Sequence, residues 1–508
     1  MRPRGGCVPA SRPRIGHCAA SRAAIRPVLG ANGSLAAWIR RVARQQGGAR
    51  EDREREAGVA DYAKIFKAYD IRGLVPDELD EGVAEAVGAA FATLTGAPAV
   101  VTVHDMRTSS APLAEAFARG VTSSGADVIA GGLGSTDMLY YASGQLGLPG
   151  AMVTASHNPA KYNGIKLCLA GAKPISQDTG LRELRDMASS WVRTTAASPG
   201  TVRKKDLLSG YAQYLRTLVD VSGIRPLKVA VDAGNGMAGH TVPKVFEGLP
   251  IETVPLYFDL DGSFPNHEAN PIDPANLVDL QQAVIKFSAD VGLAFDGDAD
   301  RCFVVDERGE GVSPSVLTAL IAVRELAREP GATVIHNLIT SRAVPQIVAD
   351  HGGTAVRTRV GHSFIKAVMA ERGAVFGGEH SGHFYFRDFW FADSGMLAAL
   401  HVLAALGSQD KPLSQLLGPY SKYVGSGEIN SEVSDQAGAM AKVRRAFAGR
   451  PDLSADELDG LTITAPDWWF NLRPSNTEPL LRLNVEAEDE TMLARVTDEV
   501  LHIVREDT

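Results

Sequence analysis

The sequence predicts an α/β protein of several domains, and three observations carry that expectation. At 508 residues the chain is too long for a single core. Short apolar runs alternate with stretches of helical period, the pattern of βαβ units. Polar, glycine-bearing loops then follow the ends of apolar runs, where ligands bind in open α/β sheets. A composition of 45% hydrophobic and 22% charged residues suits a soluble protein. No apolar run approaches the ~18 to 20 residues of a membrane span.

Charge narrows the partners. The formal net charge is −9, but residues 1 to 50 hold ten arginines and no acid, leaving the remainder near −19. That sign argues against a nucleic-acid surface on the body. Residues 1 to 58, rich in Arg, Ala, Ser and Gly without an apolar period, read as a disordered basic extension, dispensable for function. Their composition is that of an organellar transit peptide or of a start assigned upstream of the true one, and they lack a secretory apolar region. Cys7, Cys18, Cys168 and Cys302 show no paired spacing, which argues for a reducing compartment over a zinc site or a disulfide framework. A cytoplasmic protein without a membrane partner is expected.

Four units follow, at 59–200, 201–308, 309–420 and 421–508. In the first, Tyr69 and Arg72 are polar-tipped residues just before a glycine turn. A helix is predicted over 78–94, where Val83, Val87 and Phe91 share a face. Strand 99–103, the polar loop His104 to Ser110, helix 112–123, strand 127–130 and a turn at 131–136 continue the alternation. The run Gly150-Ala151-Met152-Val153 then feeds Thr154-Ala155-Ser156-His157-Asn158-Pro159. Asn158-Pro159 stops any helix, so Ser156 is expected on a tight, exposed turn. Serine needs a base or charge partner to become a nucleophile, and His157, Asn163 and Lys166 lie within a dozen residues. A capped, solvated turn is the bland alternative. Helix 177–192 and a polar linker at 196–205 close the unit.

The second unit runs through helix 206–219, strand 227–231, a glycine turn, helix 276–287 and strand 291–295. That strand delivers Asp296-Gly297-Asp298-Ala299-Asp300-Arg301. Three carboxylates at alternating positions can converge on one divalent cation while Arg301 balances charge or holds a phosphate. A calcium EF-hand fails, because Arg301 replaces its sixth glycine and Cys302-Phe303-Val304-Val305 reads as a strand. Mg²⁺ with a phosphate oxygen fits better.

In the third unit, helix 316–328, strand 332–335, helix 342–350 and strand 354–357 precede two polar loops, Val360-Gly361-His362-Ser363 and Gly377-Gly378-Glu379-His380-Ser381-Gly382-His383. Glycines around Glu379, Ser381 and two histidines describe an exposed ligand loop, and a core role is the alternative for His362. Helix 395–406 packs behind. The fourth unit carries Asn471-Leu472-Arg473-Pro474-Ser475-Asn476-Thr477-Glu478-Pro479 ahead of strand 480–485. An arginine, two hydroxyls, an amide and backbone N–H groups can bind a phosphate dianion. A capped surface turn explains Ser475, Asn476 and Thr477 equally well, but not Arg473 together with Arg482.

Together these loops resemble the α-D-phosphohexomutase family, in its bacterial phosphomannomutase/phosphoglucomutase branch, over residues 60 to 508. Four ordered motifs carry the likeness: TASHNP with YNGIK, DGDADR, GEHSGH and RPSNTEP. It implies three related α/β domains plus a smaller α+β C-terminal domain around a central cleft. It also implies an isomerase interconverting mannose 6-phosphate and mannose 1-phosphate, with glucose phosphates as further substrates, through a phosphoserine and a sugar 1,6-bisphosphate that doubles as activator. By that likeness Ser156 carries the phosphoryl group, and Asp296, Asp298 and Asp300 hold Mg²⁺ with it, beside Arg301. Lys166, His157 and His362 assist proton transfer, Glu379 and Ser381 take sugar hydroxyls, and Arg473, Ser475, Asn476 and Thr477 grip the distal phosphate. Tyr69, Arg72 and His383 match cleft positions. A monomer or weak homo-oligomer is expected.

Two positions depart from the pattern: Thr136-Asp137 stands where Thr-Pro is usual, and apolar Ile339 stands where a basic residue is usual. Three rival readings remain open. They are a dehalogenase-type phosphatase with Asp296 as nucleophile, a phosphoglucosamine mutase, and a non-catalytic sugar-phosphate-binding protein.

Overall fold

Short runs rich in Val, Ile, Leu and Phe, each bounded by glycine or polar turns, become the strands of four sheets. The computed structural model describes residues 60–475 and 480–506. The basic extension, Asn476, Thr477 and the side chain of His362 lie outside the described residues.

The first sheet is ordered Ile71–Leu74, Tyr162–Leu169, Gly150–Val153, Ala99–His104, Asp127–Leu133, Val202–Lys204, with Lys173–Pro174 pairing beside Tyr162–Leu169. The second is ordered Gly311–Val312, Cys302–Val305, Val291–Phe295, Leu227–Asp232, Ile251–Leu256. The third is ordered Thr354–Thr358, Thr333–Asn337, Phe376–Gly378, Phe384–Phe386, Ala392–Asp393. All three share one plan. Parallel strands form the middle, and the chain then turns back into an antiparallel strand, at Gly150–Val153 to Tyr162–Leu169, at Val291–Phe295 to Cys302–Val305 and at Phe376–Gly378 to Phe384–Phe386. The Ser156 loop, the Asp296 loop and the Glu379 loop are those three turns.

The fourth sheet, Val424–Glu432, Leu480–Ala487, Trp468–Pro474, Leu461–Thr464, Ser454–Asp456, is antiparallel throughout and packs helices Gln436–Phe447 and Glu490–Arg505. Three α/β domains and a smaller α+β domain are therefore what the chain builds.

One apolar core is continuous through the first three sheets, from Val101 and Met152 through Val231 and Leu293 to Phe376. Within it lies helix Gly395–Gly407, buried along all 13 residues; apart from His401 its sequence is apolar all round, as a helix with no solvent face requires.

Several boundaries differ from expectation, each for a local reason. The first long helix is Glu81–Thr95 because Asp80 caps it, accepting from the Val83 N–H at 2.8 Å. The turn expected at 131–136 leads into an unanticipated helix, Thr136–Leu146, capped by Ser135. Gly180, at φ 125°, splits the helix expected over 177–192 into a 3₁₀ turn and Leu181–Ser189. The stretch read as a linker contains Val202–Lys204, which pairs parallel with Asp127–Leu133. The loop expected at 360–363 ends at Gly361, because helix His362–Arg372 begins there.

Candidate active site

Ser156 sits on a tight turn at φ 51°, a left-handed conformation rarely adopted outside glycine and asparagine. The turn is stapled by Arg107, which donates to the carbonyls of Ser156 at 2.9 Å, Asn158 at 2.6 Å, and Pro159 and Tyr162 at 3.0 Å each. Buried Asp105 neutralises that guanidinium. The expectation of an exposed serine is corrected: Ser156 is 1% exposed, because the Asp296 loop closes over it. Gly297 permits this approach, since a Cβ there would stand 2.5 Å from the Ser156 carbonyl oxygen.

The Ser156 Oγ donates to Asp296 Oδ2 at 2.8 Å and lies 3.2 Å from His157 Nδ1. Asp296, Asp298 and Asp300 are buried, and their oxygens converge within 4.8 Å. Lys166, on the neighbouring strand, donates to Asp298 Oδ2 at 2.7 Å and to Asp300 Oδ2 at 2.6 Å. Asp298 Oδ1 and Asp300 Oδ1 are buried without a hydrogen-bond partner among the described residues. Uncompensated carboxylate oxygens are costly in an interior, and an all-oxygen set of this kind suits a hard divalent cation such as Mg²⁺.

Electrostatics sort these groups. Burial, then the charges of Asp300 and Asp298, push the Asp296 carboxyl well above the ordinary range. Burial alone would lower the Lys166 ammonium, but Asp298 and Asp300 outweigh it and hold it firmly protonated. In this arrangement Lys166 is a counter-charge to Asp298 and Asp300. Arg301 and burial push His157 far down, so its imidazole is neutral beside the serine.

The remaining cleft residues gather around the same cavity. Tyr69, Arg72, Ser156, Lys166, Arg301 and His383 line it. Arg72 is held by Asp70 at 2.5 Å and by Asn158. His383 faces Arg301 Nε across 3.3 Å and pairs with Ser381 Oγ at 3.0 Å. The Glu379 loop is not the exposed loop expected. Glu379 is 2% exposed, because the Tyr385 hydroxyl donates to it at 2.6 Å and Asn337 and the Gly361 N–H at 3.3 Å.

Arg473, Arg482 and Ser475 stand apart from this cavity. Arg473 and Arg482 pair with Glu428 at 2.6 and 3.4 Å, and Arg482 reaches Ser475 Oγ at 3.4 Å. Glu428 and His380 border a second cavity, so the Glu379 loop touches both.

Sequence reasoning missed three contributors. Arg107 lay in a loop already marked as polar. Lys366, 2.5 Å from Asp393 Oδ1 and 4.3 Å above the Tyr140 ring, lines the first cavity; its signal was a lysine between the buried Ile365 and Met369. Glu428 had no signal beyond the arginines it pairs with.

A serine set against a carboxylate cation site, at the turn where a parallel sheet reverses direction, is equipment for phosphoryl transfer. The chain belongs to the phosphoglucomutase/phosphomannomutase family. The models of its α/β/α domains I, II and III match residues 63–190, 209–309 and 314–423, and that of its C-terminal domain matches 428–503. A phosphomannomutase of Escherichia coli strain K12 is 40% identical over 437 residues, covering 84% of this chain and 96% of that protein. A protein of Xanthomonas campestris described as phosphohexose mutases is 41% identical, covering 87% and 99%. The crystal structure of a family member from Burkholderia thailandensis superposes with a TM-score of 0.80 at 33% identity, covering 88% of this chain and 99% of that one.

Proposed function

We propose that the protein is a phosphohexomutase that interconverts mannose 6-phosphate and mannose 1-phosphate, and glucose phosphates as well, through a phosphorylated Ser156. The observation that carries this reading is the Ser156 Oγ, 2.8 Å from a buried acid beside two carboxylate oxygens that have no hydrogen bond among the described residues. The 40% identity to the Escherichia coli phosphomannomutase and 41% to the Xanthomonas campestris mutase support it.

Asp296, Asp298 and Asp300 would hold Mg²⁺ together with a phosphoserine oxygen, and the ion supplies charge neutralisation to the transferring group. The protein's own groups do the rest. Positioning and charge account for most of phosphoryl-transfer catalysis. Lys166 and Arg301 balance the carboxylates and the phosphoryl oxygens, and Arg107 keeps the turn rigid. In the forward step the P–Oγ bond breaks, a bond from phosphorus to a sugar oxygen forms, the sugar hydroxyl gives up its proton, and the released Ser156 oxygen takes one from His157, 3.2 Å away. His383 faces the cavity and is neutral, because burial and then Arg301 lower it; it takes the sugar proton at Nε2 on giving up the hydrogen bond from Arg301 Nε. In the reverse step His157 takes the Ser156 proton. The bisphosphate turns end for end between the steps, with Arg473, Arg482 and Ser475 gripping its distal phosphate. A sugar 1,6-bisphosphate then serves as activator, since only it can restore phosphate to a serine whose intermediate has escaped.

Intact mass and peptide mapping, before and after exposure to mannose 1-phosphate, test the reading. One phosphoryl group on the Ser156 peptide is expected, and Ser156→Ala should lose nearly all turnover. Phosphate on Asp296 with none on Ser156 would establish the aspartyl alternative. A clear kcat/KM preference for glucosamine 1-phosphate over the mannose and glucose 1-phosphates would overturn the choice of sugar while leaving the mutase chemistry intact.

A further inference from the structure

Asp137 lies next to the site without lining its cavity. It is 0% exposed, and three hydroxyl groups from three parts of the chain converge on its carboxylate. Ser135 donates to Oδ1, while Tyr211 and Ser394 each donate to Oδ2 at 2.6 Å. Two of these donors are helix N-caps. The Ser135 Oγ accepts from the Met138 N–H at the start of Thr136–Leu146, and the Ser394 Oγ accepts from the Leu397 N–H at the start of Gly395–Gly407. One buried charge thus faces the positive ends of two helices, a placement that stabilises an anion. Tyr211 belongs to a third helix, Leu208–Leu218.

The residue before Asp137 reaches the metal loop. The Thr136 N–H donates to the Asp298 carbonyl at 3.0 Å, and its Oγ1 donates to Asp298 Oδ2 at 2.5 Å. Lys166 occupies the same Oδ2. With two donors pinning Oδ2, Oδ1, which has no hydrogen bond among the described residues, has one direction left in which to point. Thr136 can hold this aim only while the start of its helix is fixed, and the Asp137 carboxylate is what fixes it.

We infer that Asp137 is a positioning residue: by tying helices Thr136–Leu146, Leu208–Leu218 and Gly395–Gly407 to one carboxylate, it sets Thr136 against Asp298 and so aims the metal loop at Ser156. The inference rests on the reading of Asp296, Asp298 and Asp300 as the cation site.

The test is a double-mutant cycle on the full chain with two readouts, steady-state turnover of mannose 1-phosphate and Mg²⁺ affinity by calorimetry. Asp137→Asn is expected to lower kcat about tenfold and weaken Mg²⁺ binding about three- to tenfold, with KM changed less than about twofold, because the residue touches no substrate. Tyr211→Phe and Ser394→Ala remove one donor each, should shift both readouts the same way by less, and carry the test if Asp137→Asn does not fold. Combining Asp137→Asn (or Tyr211→Phe) with Thr136→Val should cost no more than Thr136→Val alone, since both act through one contact. Losses that multiply, or a lowered melting temperature with kcat and Mg²⁺ affinity unchanged, would overturn the inference. If the unaltered protein turns over but takes up no Mg²⁺, the cation reading has failed instead, and the cycle in kcat still decides the role of Asp137.

Discussion

Two sets of buried carboxylates stand one residue apart, linked through Thr136, and the protein treats them in opposite ways. Asp137 has a hydroxyl on each oxygen and a third besides. Asp296, Asp298 and Asp300 crowd within 4.8 Å, Lys166 bridges the last two, and Asp298 Oδ1 and Asp300 Oδ1 have no hydrogen bond among the described residues, His383 Nε2 standing 3.6 Å from the second. Burial does not separate them, since all four are between 0 and 1% exposed. What separates them is the count of lone pairs left over. Here the satisfied acid serves the architecture, and the unsatisfied ones are available to a cation.

Substitution should expose this contrast, most strongly in the trio. Asp298→Asn is expected to cut turnover by about two to three orders of magnitude. Its melting temperature without metal should change little, because the loss of one repelling charge offsets the loss of half of the Lys166 pairing, of which Asp300 keeps the other half. A large loss of metal-free stability would show that the trio is structural and break the comparison. Asp137→Ala should lower stability instead. It strands three buried hydroxyls at ~1 to 3 kcal/mol each, and a marked fall in melting temperature, unrelieved by Mg²⁺, is the expected result.

The smallest effect is a pH dependence. Burial raises the Asp137 carboxyl from 3.8 to about 6, with the three hydroxyls opposing. A group raised in the folded state contributes stability that is complete below pH 3.8 and is lost as pH rises through about 6, up to about 3 kcal/mol in all. Denaturant titrations between pH 4 and 7 should show this slope in the parent protein and not in Asp137→Asn. Parallel curves would mean that the carboxylate is better solvated than its surroundings imply.

Legibility in the sequence divided along similar lines. Strands Val291–Phe295 and Cys302–Val305 were read to the residue, because an apolar run ending in acids or glycine has only one reading. The three acids and the serine could likewise be found, since their chemistry is written in neighbouring residues. Helix Thr136–Leu146 could not, because it is buried on both sides by sheets and helices distant in sequence, and its Thr, Ser and Gly content mimics a turn. The burial of Ser156 escaped for the same reason: the residue that covers it, Gly297, is 141 positions away. Asp137 stood out as a departure from the family pattern. Nothing local, however, could have named Tyr211 and Ser394 as its partners, since long-range satisfaction of a polar group leaves no periodic trace.

The edge strand Val202–Lys204 carries a consequence for recombining this protein with its relatives. It lies beyond the polar stretch that follows the first helical layer, yet its backbone completes the first sheet beside Asp127–Leu133. A seam cut at residue 200 would separate a sheet from its own border and bare a row of unpaired N–H and C=O groups, which invites pairing with a second copy. Chimeras exchanged after Lys204 keep the border with its sheet, and these are the ones expected to stay monodisperse.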